Sequence, residues 1–260
     1  MDFRNEEVGM RKVVSIAGIA AVTMCGLNGV AHASADKYQN YAELAQHEKE
    51  GQDYRRTLRA PGEPKVAHIA IHGGGIEPGT TQLADRAAAA RSGYAYYSFE
   101  GVKPSGNKDL HITSTRFDEP RGLALAQRVD RTVSWHGADG STPVTYVGGL
   151  DDQLREQVAC RLGKAGFAVA PTVPGDIDGS DPHNIANRNR RHKGVQLELS
   201  TAQRKAFFTD GRLDRAWIED PTHRTAAFEK YIKAVDQALS SGDCQGIHRA
   251  DGHGPPSRTP

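Results

Sequence analysis

From residue 66 to residue 239, short apolar runs alternate with longer segments of helical composition. The strand-like runs cover 66–71, 94–99, 110–113, 132–135, 144–147, 167–170 and 195–199. The helical segments cover 80–91, 120–128, 152–165 and 226–239. This alternation predicts an α/β fold, an open sheet with helices on both faces. No internal repeat or linker divides it, so we expect a single domain.

Composition excludes two classes of protein. The 33 Lys and Arg residues balance 32 Asp and Glu residues, for a formal net charge of +1. A protein with this balance has no net positive charge large enough to attract the phosphates of nucleic acid, so we expect no nucleic-acid partner. Beyond the N-terminus no apolar run approaches the roughly 18 residues of a membrane span. We therefore expect no membrane association once the N-terminal segment is removed.

The two ends of the chain are predicted to lie outside the folded domain. Arg11 and Lys12 precede an apolar stretch over 13–27, and Ala31-His32-Ala33 follows. This pattern predicts a Sec-type signal peptide over 1–33 and a secreted mature protein. The glycines and prolines of 246–260 predict a flexible tail. The hydrolase domain argued below would then occupy 34–245.

Two cysteines remain in the predicted mature chain. In an oxidising compartment Cys160 and Cys244 can form one disulfide between two helices. Two separate buried thiols are an equally good interpretation, and the sequence leaves both open.

Polar residues directly after the apolar runs are the candidates for function, because functional groups gather beyond the carboxyl ends of strands in such sheets. These positions are His72, Glu100, His136, Leu150–Asp152 and Glu198. After His72, three glycines allow a tight turn that can bring Glu77 back towards it. With His136 as a third ligand, the set is typical of a zinc hydrolase, which keeps one position open for water.

Glu198 is the candidate general base. Apolar residues occupy positions 195, 197 and 199, so Gln196 and Glu198 share the opposite face of the strand. A carboxylate beside a zinc site can take a proton from water and hand it to a leaving amine. The alternative is a strand that simply turns its polar residues to solvent.

The segment before this strand, 187–194, is basic and indicates an anionic substrate. Guanidinium groups bind carboxylates in bidentate fashion, which makes Arg188 and Arg190, together with Lys193, candidate substrate ligands. A solvated basic turn is the alternative. A serine hydrolase with an HGGG-type oxyanion hole is excluded, because it requires a Gly-x-Ser-x-Gly motif that this sequence lacks.

Four motifs together resemble the phage-related poly-γ-glutamate hydrolase family. They are His-Gly-Gly-Gly-Ile-Glu-Pro-Gly-Thr at 72–80, Leu-His-Ile-Thr-Ser-Thr at 110–115, Ser-Trp-His-Gly at 134–137 and Gly-Val-Gln-Leu-Glu-Leu at 194–199. The resemblance covers about residues 38–208. It implies a compact carboxypeptidase A-like fold, one zinc ion per chain, and hydrolysis of γ-glutamyl amide bonds in poly-γ-glutamate, an anionic polymer.

The resemblance also implies roles for individual residues. His72, Glu77 and His136 would be the zinc ligands and Glu198 the general base, while Asn187 and Arg188 would hold a substrate carboxylate. The sequence departs from the expected pattern in two places. The first two ligands have the spacing His-x4-Glu rather than the His-x2-Glu of carboxypeptidase A relatives. Arg116 stands where the family leads us to expect histidine.

Two other functions remain as alternatives. The same metal site can serve an amidase or peptidase acting on γ-D-glutamyl bonds of peptidoglycan or on N-acyl amino acids. A secreted binding module for an anionic polymer, without metal, is the non-enzymatic alternative; the presence of all three candidate ligands and Glu198 argues against it.

Overall fold

The protein is described from a computed structural model. The structure describes residues 36–240, together with Met1, Gly242 and Cys244. Apart from Met1, the predicted signal peptide lies outside the described residues, and so does the predicted tail over 246–260. Within the described residues, no helix is long and apolar enough to cross a membrane.

Six strands form one mixed sheet. They are β1 (Tyr54–Arg59), β2 (Val66–Gly74), β3 (Tyr94–Gly101), β4 (Arg131–Ala138), β5 (Thr145–Gly148) and β6 (Val195–Ser200). The strand order is β1-β3-β2-β4-β6-β5. The four central strands are parallel, and the two outer strands pair antiparallel to their neighbours. The predicted open mixed sheet is confirmed.

Helices cover both faces of this sheet. They are α1 (Tyr41–His47), α2 (Thr80–Ala88), α3 (Pro120–Arg128), α4 (Asp152–Lys164), α5 (Thr201–Lys205), α6 (Arg215–Glu219) and α7 (Ala226–Ser240). Helices α2, α4 and α7 pack on one face around Trp135, and α1 and α3 pack on the other around Phe99. The single-domain α/β prediction is confirmed.

Local sequence sets where several helices begin. Helix α3 starts at Pro120, whose fixed φ suits the first turn, and the Glu119 carboxylate accepts a hydrogen bond from Gly122 N. The Asp151 carboxylate caps α4 in the same way by accepting from Leu154 N. Both helices begin where the sequence predicts, since proline and capping residues act within one turn.

Two predicted strands are wrong. Leu110 ends a short 3-10 turn, Asn107–Leu110, and residues 111–113 have no regular structure. Leu110 and Ile112 are buried on the α3 face of the sheet. Residues 167–170 make only a single bridge, between Val169 and Thr145. In both cases burial of loop side chains imitates the apolar signature of a strand.

The sequence analysis also missed β1 and α1. Strand β1 reads Tyr-Arg-Arg-Thr-Leu-Arg and lies at an edge of the sheet, where charged residues are tolerated and discourage pairing with another chain. An apolar run is therefore absent from this strand.

A disulfide joins Cys160 in α4 to Cys244, which lies beyond the end of α7. Of the two interpretations left open by the sequence, the structure has the disulfide. The backbone N–H of Cys244 also donates a 2.6 Å hydrogen bond to the Gln157 side chain. Both contacts fasten the end of the described chain to the helical layer.

Candidate metal centre

A β-bulge in β2 decides which way His72 faces. Strict alternation would place His72 on the same face as His68 and Ala70, against α2 and α7. The pairing between β2 and β3 shifts by one residue between Ala70 and Gly73. This extra residue turns His72 to the α3 face, where it meets His136 of the neighbouring strand β4.

The glycines after His72 make the turn that returns Glu77 to it. Gly74 has φ of +63°, and a Cβ atom there would lie 2.3 Å from the carbonyl oxygen of Gly101. Only glycine fits such a close approach in the left-handed region. The turn closes when Glu77 N donates a 2.9 Å hydrogen bond to His72 O. The carboxylate of Glu77 thereby reaches both imidazoles.

One nitrogen of each histidine and both carboxylate oxygens of Glu77 converge in this cluster. His72 Nδ1 lies 3.0 Å from Glu77 Oε1 and 3.1 Å from His136 Nδ1, and His136 Nδ1 lies 3.6 Å from Glu77 Oε2. Tetrahedral zinc, with bonds of about 2.0–2.1 Å, needs neighbouring ligand atoms about 3.4 Å apart. The observed separations bracket this value, so the cluster can hold a metal ion.

The opposite nitrogens of both rings are fixed by hydrogen bonds. His72 Nε2 donates to the carbonyl oxygen of Ile112 at 2.8 Å, and His136 Nε2 lies 2.7 Å from Ser134 Oγ. With its proton on Nε2, a neutral His72 ring leaves Nδ1 free as a metal ligand. Such outer contacts typically orient metal-binding histidines.

The two acidic residues of the site have pKa values displaced in opposite directions. Burial alone would raise the pKa of Glu77, but the imidazoles of His72 and His136 hold it well below its usual value. Burial, reinforced by the negative charge of Glu77, raises the pKa of Glu198 well above its usual value. Glu77 is thus poised as an anionic ligand and Glu198 as a proton carrier.

Glu198 lies beside the cluster because β6 pairs in register with β4, with Glu198 opposite His136. Gln196 shares its face, as the alternation predicts, and donates from Nε2 to Glu198 Oε1 at 2.8 Å. Asn184 in turn donates to Gln196 Oε1 at 2.7 Å. The solvent-facing alternative is wrong, since every residue of this strand is buried.

His111 joins the site although the sequence analysis assigned it no role. Its ring centroid lies 3.9 Å from that of His72, and its Nε2 lies 4.0 Å from Glu77 Oε1. The charge of His72 and burial lower the pKa of His111 to about 4. His111 is part of the family-like motif at 110–115, but the sequence spacing does not indicate that this motif lies beside the metal ligands.

The sequence pattern also did not indicate a role for Arg204, because a single basic residue in a short helix is usually exposed to solvent. Its guanidinium is buried and donates to three carbonyl oxygens, those of Pro78 at 3.0 Å, Ala138 at 3.1 Å and Leu199 at 3.2 Å. These residues follow Glu77, His136 and Glu198, respectively, within one or two positions. One side chain therefore ties together the three segments that form the site.

Two other strand-end candidates have structural contacts instead. Glu100 accepts a 2.6 Å hydrogen bond from Arg55 and a 2.7 Å hydrogen bond from Ser98. Asp151 caps α4 and pairs with Arg191 at 2.7 Å. Neither residue belongs to the metal cluster.

The side chain of Asn187 fastens the basic loop. Its Oδ1 accepts from Gly194 N at 3.0 Å and Leu150 N at 3.2 Å, and its Nδ2 donates to Gly179 O at 2.7 Å and Asp181 O at 2.9 Å. An asparagine amide has two donors and two acceptor positions, so all four are used. Asn187 thus holds the fold of the loop that carries Arg188.

The predicted cations occupy different places. Arg188 is half-buried after the turn Ile185–Asn187, and within the described residues no ion pair involves its side chain. Arg190 lies 3.7 Å from Asp130, which directly precedes β4. His136 is six residues further along this strand, a span of about 20 Å. Lys193 likewise precedes β6. The structure does not bring Arg190 and Lys193 to the cluster.

The fold and the cluster define a class: a single-domain α/β protein with a buried His–Glu–His site at the carboxyl ends of its parallel strands. The model of the family described as "Poly-gamma-glutamate hydrolase" matches residues 38–234. The chain belongs to the poly-γ-glutamate hydrolase family.

Relatives in Bacillus subtilis (strain 168) are similar over about two thirds of the chain. The SPbeta prophage-derived UPF0714 protein YoqZ is 40% identical over 176 residues, 67% of this chain and 62% of its own length. The UPF0714 protein YndL is 40% identical over 174 residues, 66% of this chain and 67% of its own length. The chain thus spans less than two thirds of the length of YoqZ.

Two solved structures share the fold. A bacteriophage poly-γ-glutamate hydrolase superposes with a TM-score of 0.74 at 36% identity, covering 78% of this chain and 96% of that one. YNDL in its apo, zinc-free form superposes with a TM-score of 0.71 at 34% identity, covering 79% and 98%.

Proposed function

We propose that this protein is a zinc-dependent hydrolase that cleaves γ-glutamyl amide bonds of poly-γ-glutamate. The observation that carries the proposal is the convergence of His72, Glu77 and His136, which offer one ligand atom each within 4.8 Å of one another. Membership of the family supports the substrate, and a relative known in a zinc-free form supports the metal. We propose one zinc ion per chain, held by these three residues.

When bound there, zinc would lower the pKa of a water molecule and polarise the amide carbonyl. The residues of the chain supply proton transfer and orientation. Glu198, as a carboxylate, takes a proton from the attacking water and passes it to the amide nitrogen as the C–N bond breaks. Gln196 holds one oxygen of this carboxylate at 2.8 Å and so keeps it aimed at the cluster.

Arg188 is the cation that we propose for binding a substrate carboxylate. Each residue of the polymer carries a free carboxylate, which a guanidinium can bind through two hydrogen bonds. Asn187 would serve this contact indirectly by holding the loop. We do not extend the proposal to Arg190, which already pairs with Asp130 at 3.7 Å, or to Lys193, which lies two residues before β6.

We propose that the protein is secreted, with cleavage after Ala33 removing a signal peptide. The disulfide between Cys160 and Cys244 supports an oxidising compartment. A polymer of this kind outside the cell would be reached only by a secreted enzyme.

Digestion of poly-γ-glutamate, followed by sizing of the products, tests the function. We expect chain shortening that stops on chelation and returns when zinc is added, with about one zinc per purified chain. Glu198→Gln should bind zinc normally and lose nearly all activity, whereas Gln157→Glu, on a distant helix, should leave activity unchanged. Cleavage of cell-wall fragments or N-acyl amino acids instead of the polymer would contradict the proposed substrate. Polymer binding without any zinc would indicate the binding module.

A further inference from the structure

The described segment 36–240 begins with Asp36, which contacts His111 beside the metal cluster. Its buried carboxylate lies 2.5 Å from His111 Nδ1 through Oδ1, and Oδ2 accepts from Thr113 N and from Arg116, both at 2.7 Å. Asp36 precedes the segment matched by the family model, which begins at residue 38. Arg116 is the position at which the chain departs from the family-like motif.

The contact with Asp36 sets the tautomer of His111. An ionised carboxylate only accepts hydrogen bonds, so the ring must carry its proton on Nδ1. Nε2 then presents a lone pair on the side of the ring facing Glu77 Oε1, 4.0 Å away. This distance is too long for a direct hydrogen bond and both atoms are acceptors, so His111 Nε2 is free to accept from a donor beside the cluster.

We propose that Asp36 is a positioning residue of the active site, which holds His111 in the Nδ1–H form so that Nε2 accepts a hydrogen bond from a substrate amide N–H. The substrate part of this inference rests on the proposed function, since the amide N–H is the neutral donor that every link of poly-γ-glutamate carries. Arg116 completes the unit by holding Asp36, and its second contact, with Gln39, ties it to the same N-terminal segment.

The two oxygens of Asp36 have different partners, which makes Asp36→Asn a sharp test. Oδ2 receives two donors, the Thr113 N–H and Arg116, and neither can be reversed. The asparagine oxygen must therefore take that position, which turns its NH2 group towards His111 Nδ1. The imidazole is then forced into the Nε2–H form, and Nε2 changes from an acceptor to a donor while the shape of the side chain is kept.

The first measurement is the tautomer of His111 by nitrogen-15 NMR of the imidazole nitrogens in zinc-free protein. We expect the Nδ1–H form in the wild type and the Nε2–H form in Asp36→Asn. The same tautomer in both proteins would overturn the proposal. This readout uses neither substrate nor metal, so it decides the role of Asp36 even if poly-γ-glutamate proves not to be the substrate.

The second measurement is kinetic. Loss of an outer contact of this kind typically costs about 10- to 100-fold, and we expect that loss in kcat/KM for Asp36→Asn. Asp118→Asn is the matched control: Asp118 also fastens the N-terminal segment, by accepting from Tyr41 N at 2.7 Å, but its carboxylate does not bond to His111. In a His111→Ala background, Asp36→Asn should have no further effect. Equal losses in the two asparagine variants, or additive losses with His111→Ala, would show that Asp36 only fastens the segment.

Discussion

At the scale of single residues, the site depends on two buried charged groups with unlike surroundings. In the zinc-free protein, burial and the negative charge of Glu77 raise the pKa of Glu198, whose carboxyl has one hydrogen-bond donor, Gln196. Arg204 is surrounded by carbonyl oxygens, which accept hydrogen bonds without neutralising its charge. A substitution of either residue should therefore change the free energy of unfolding.

Glu198→Gln should stabilise the zinc-free protein at neutral pH. Because the pKa of Glu198 is raised in the folded state, the folded protein binds a proton more tightly than the unfolded chain does. Wild-type stability therefore falls as pH rises above the unfolded pKa of about 4.3. Glutamine escapes this loss, so the variant should be more stable at pH 7, with the difference disappearing below about pH 4. Urea unfolding at several pH values measures it; a difference independent of pH would contradict the explanation.

Arg204→Gln should weaken zinc binding about 10- to 100-fold, because the segments after Glu77, His136 and Glu198 lose their common donor. The zinc-free protein should also lose several kcal/mol of stability, since each carbonyl left unpaired costs about 1–3 kcal/mol. Competition with a chelator measures the affinity, and denaturant unfolding measures the stability. Arg190→Gln is the control: within the described part of the chain its guanidinium has one ion pair, with Asp130 at 3.7 Å, and neither quantity should change. Equal zinc affinity in the two variants would exclude a positioning role for Arg204.

At the scale of elements, one extra residue in β2 creates the ligand set. Without the bulge between Ala70 and Gly73, His72 would follow His68 into the α2 face, where His68 accepts a hydrogen bond from Trp135. The bulge and the glycine turn are adjacent, so the end of this strand and the return of Glu77 form one structural device.

Gly74→Ala should disrupt this device. The left-handed φ of +63° costs a non-glycine residue about 1–2 kcal/mol, and the new Cβ would lie 2.3 Å from Gly101 O, which forces the ends of β2 and β3 apart. We expect a loss of about 2–4 kcal/mol of stability, together with weaker zinc binding. Gly62→Ala is the control, because among the described residues no atom other than those of its chain neighbours lies within 4 Å of its added Cβ. Normal zinc affinity in Gly74→Ala would show that the turn tolerates displacement.

At the scale of the whole molecule, the site and the disulfide occupy opposite faces of the sheet. The metal cluster faces α3, whereas Cys160 lies in α4, which packs with α7 around Trp135. Stability and activity should therefore respond separately to changes in the two faces.

Replacing both Cys160 and Cys244 by serine should lower stability and leave activity intact. The disulfide closes a sequence separation of 84 residues, for which the loop-entropy relation gives about 4.5 kcal/mol as an upper value. We expect a lower melting temperature with unchanged zinc content and unchanged kcat/KM at 25 °C. Wild-type protein treated with a reductant should behave in the same way. A parallel loss of zinc would show that the helical layer positions the ligands after all.

Much of the fold followed from the sequence because its signals are local. The cores of β2, β4 and β6, and helices α3 and α4, were predicted from apolar runs, capping residues and proline, all of which act within a few residues. The missed strand β1 and the wrong strands at 110–113 and 167–170 share a different cause. Whether a short segment pairs with the sheet depends on its neighbours in space, which the local pattern does not contain.

The sequence by itself determined the class of the fold, the family, and which residues carry the candidate chemistry: His72, Glu77, His136 and Glu198. Only the tertiary structure decided how they meet. A one-residue shift in strand pairing turned His72 to the side of His136, and packing brought Asp36, His111 and Arg204 to the site from distant parts of the chain. The sequence specifies the type of each residue. The strand face on which a side chain lies, and the residues that it contacts, depend on strand register and on long-range contacts.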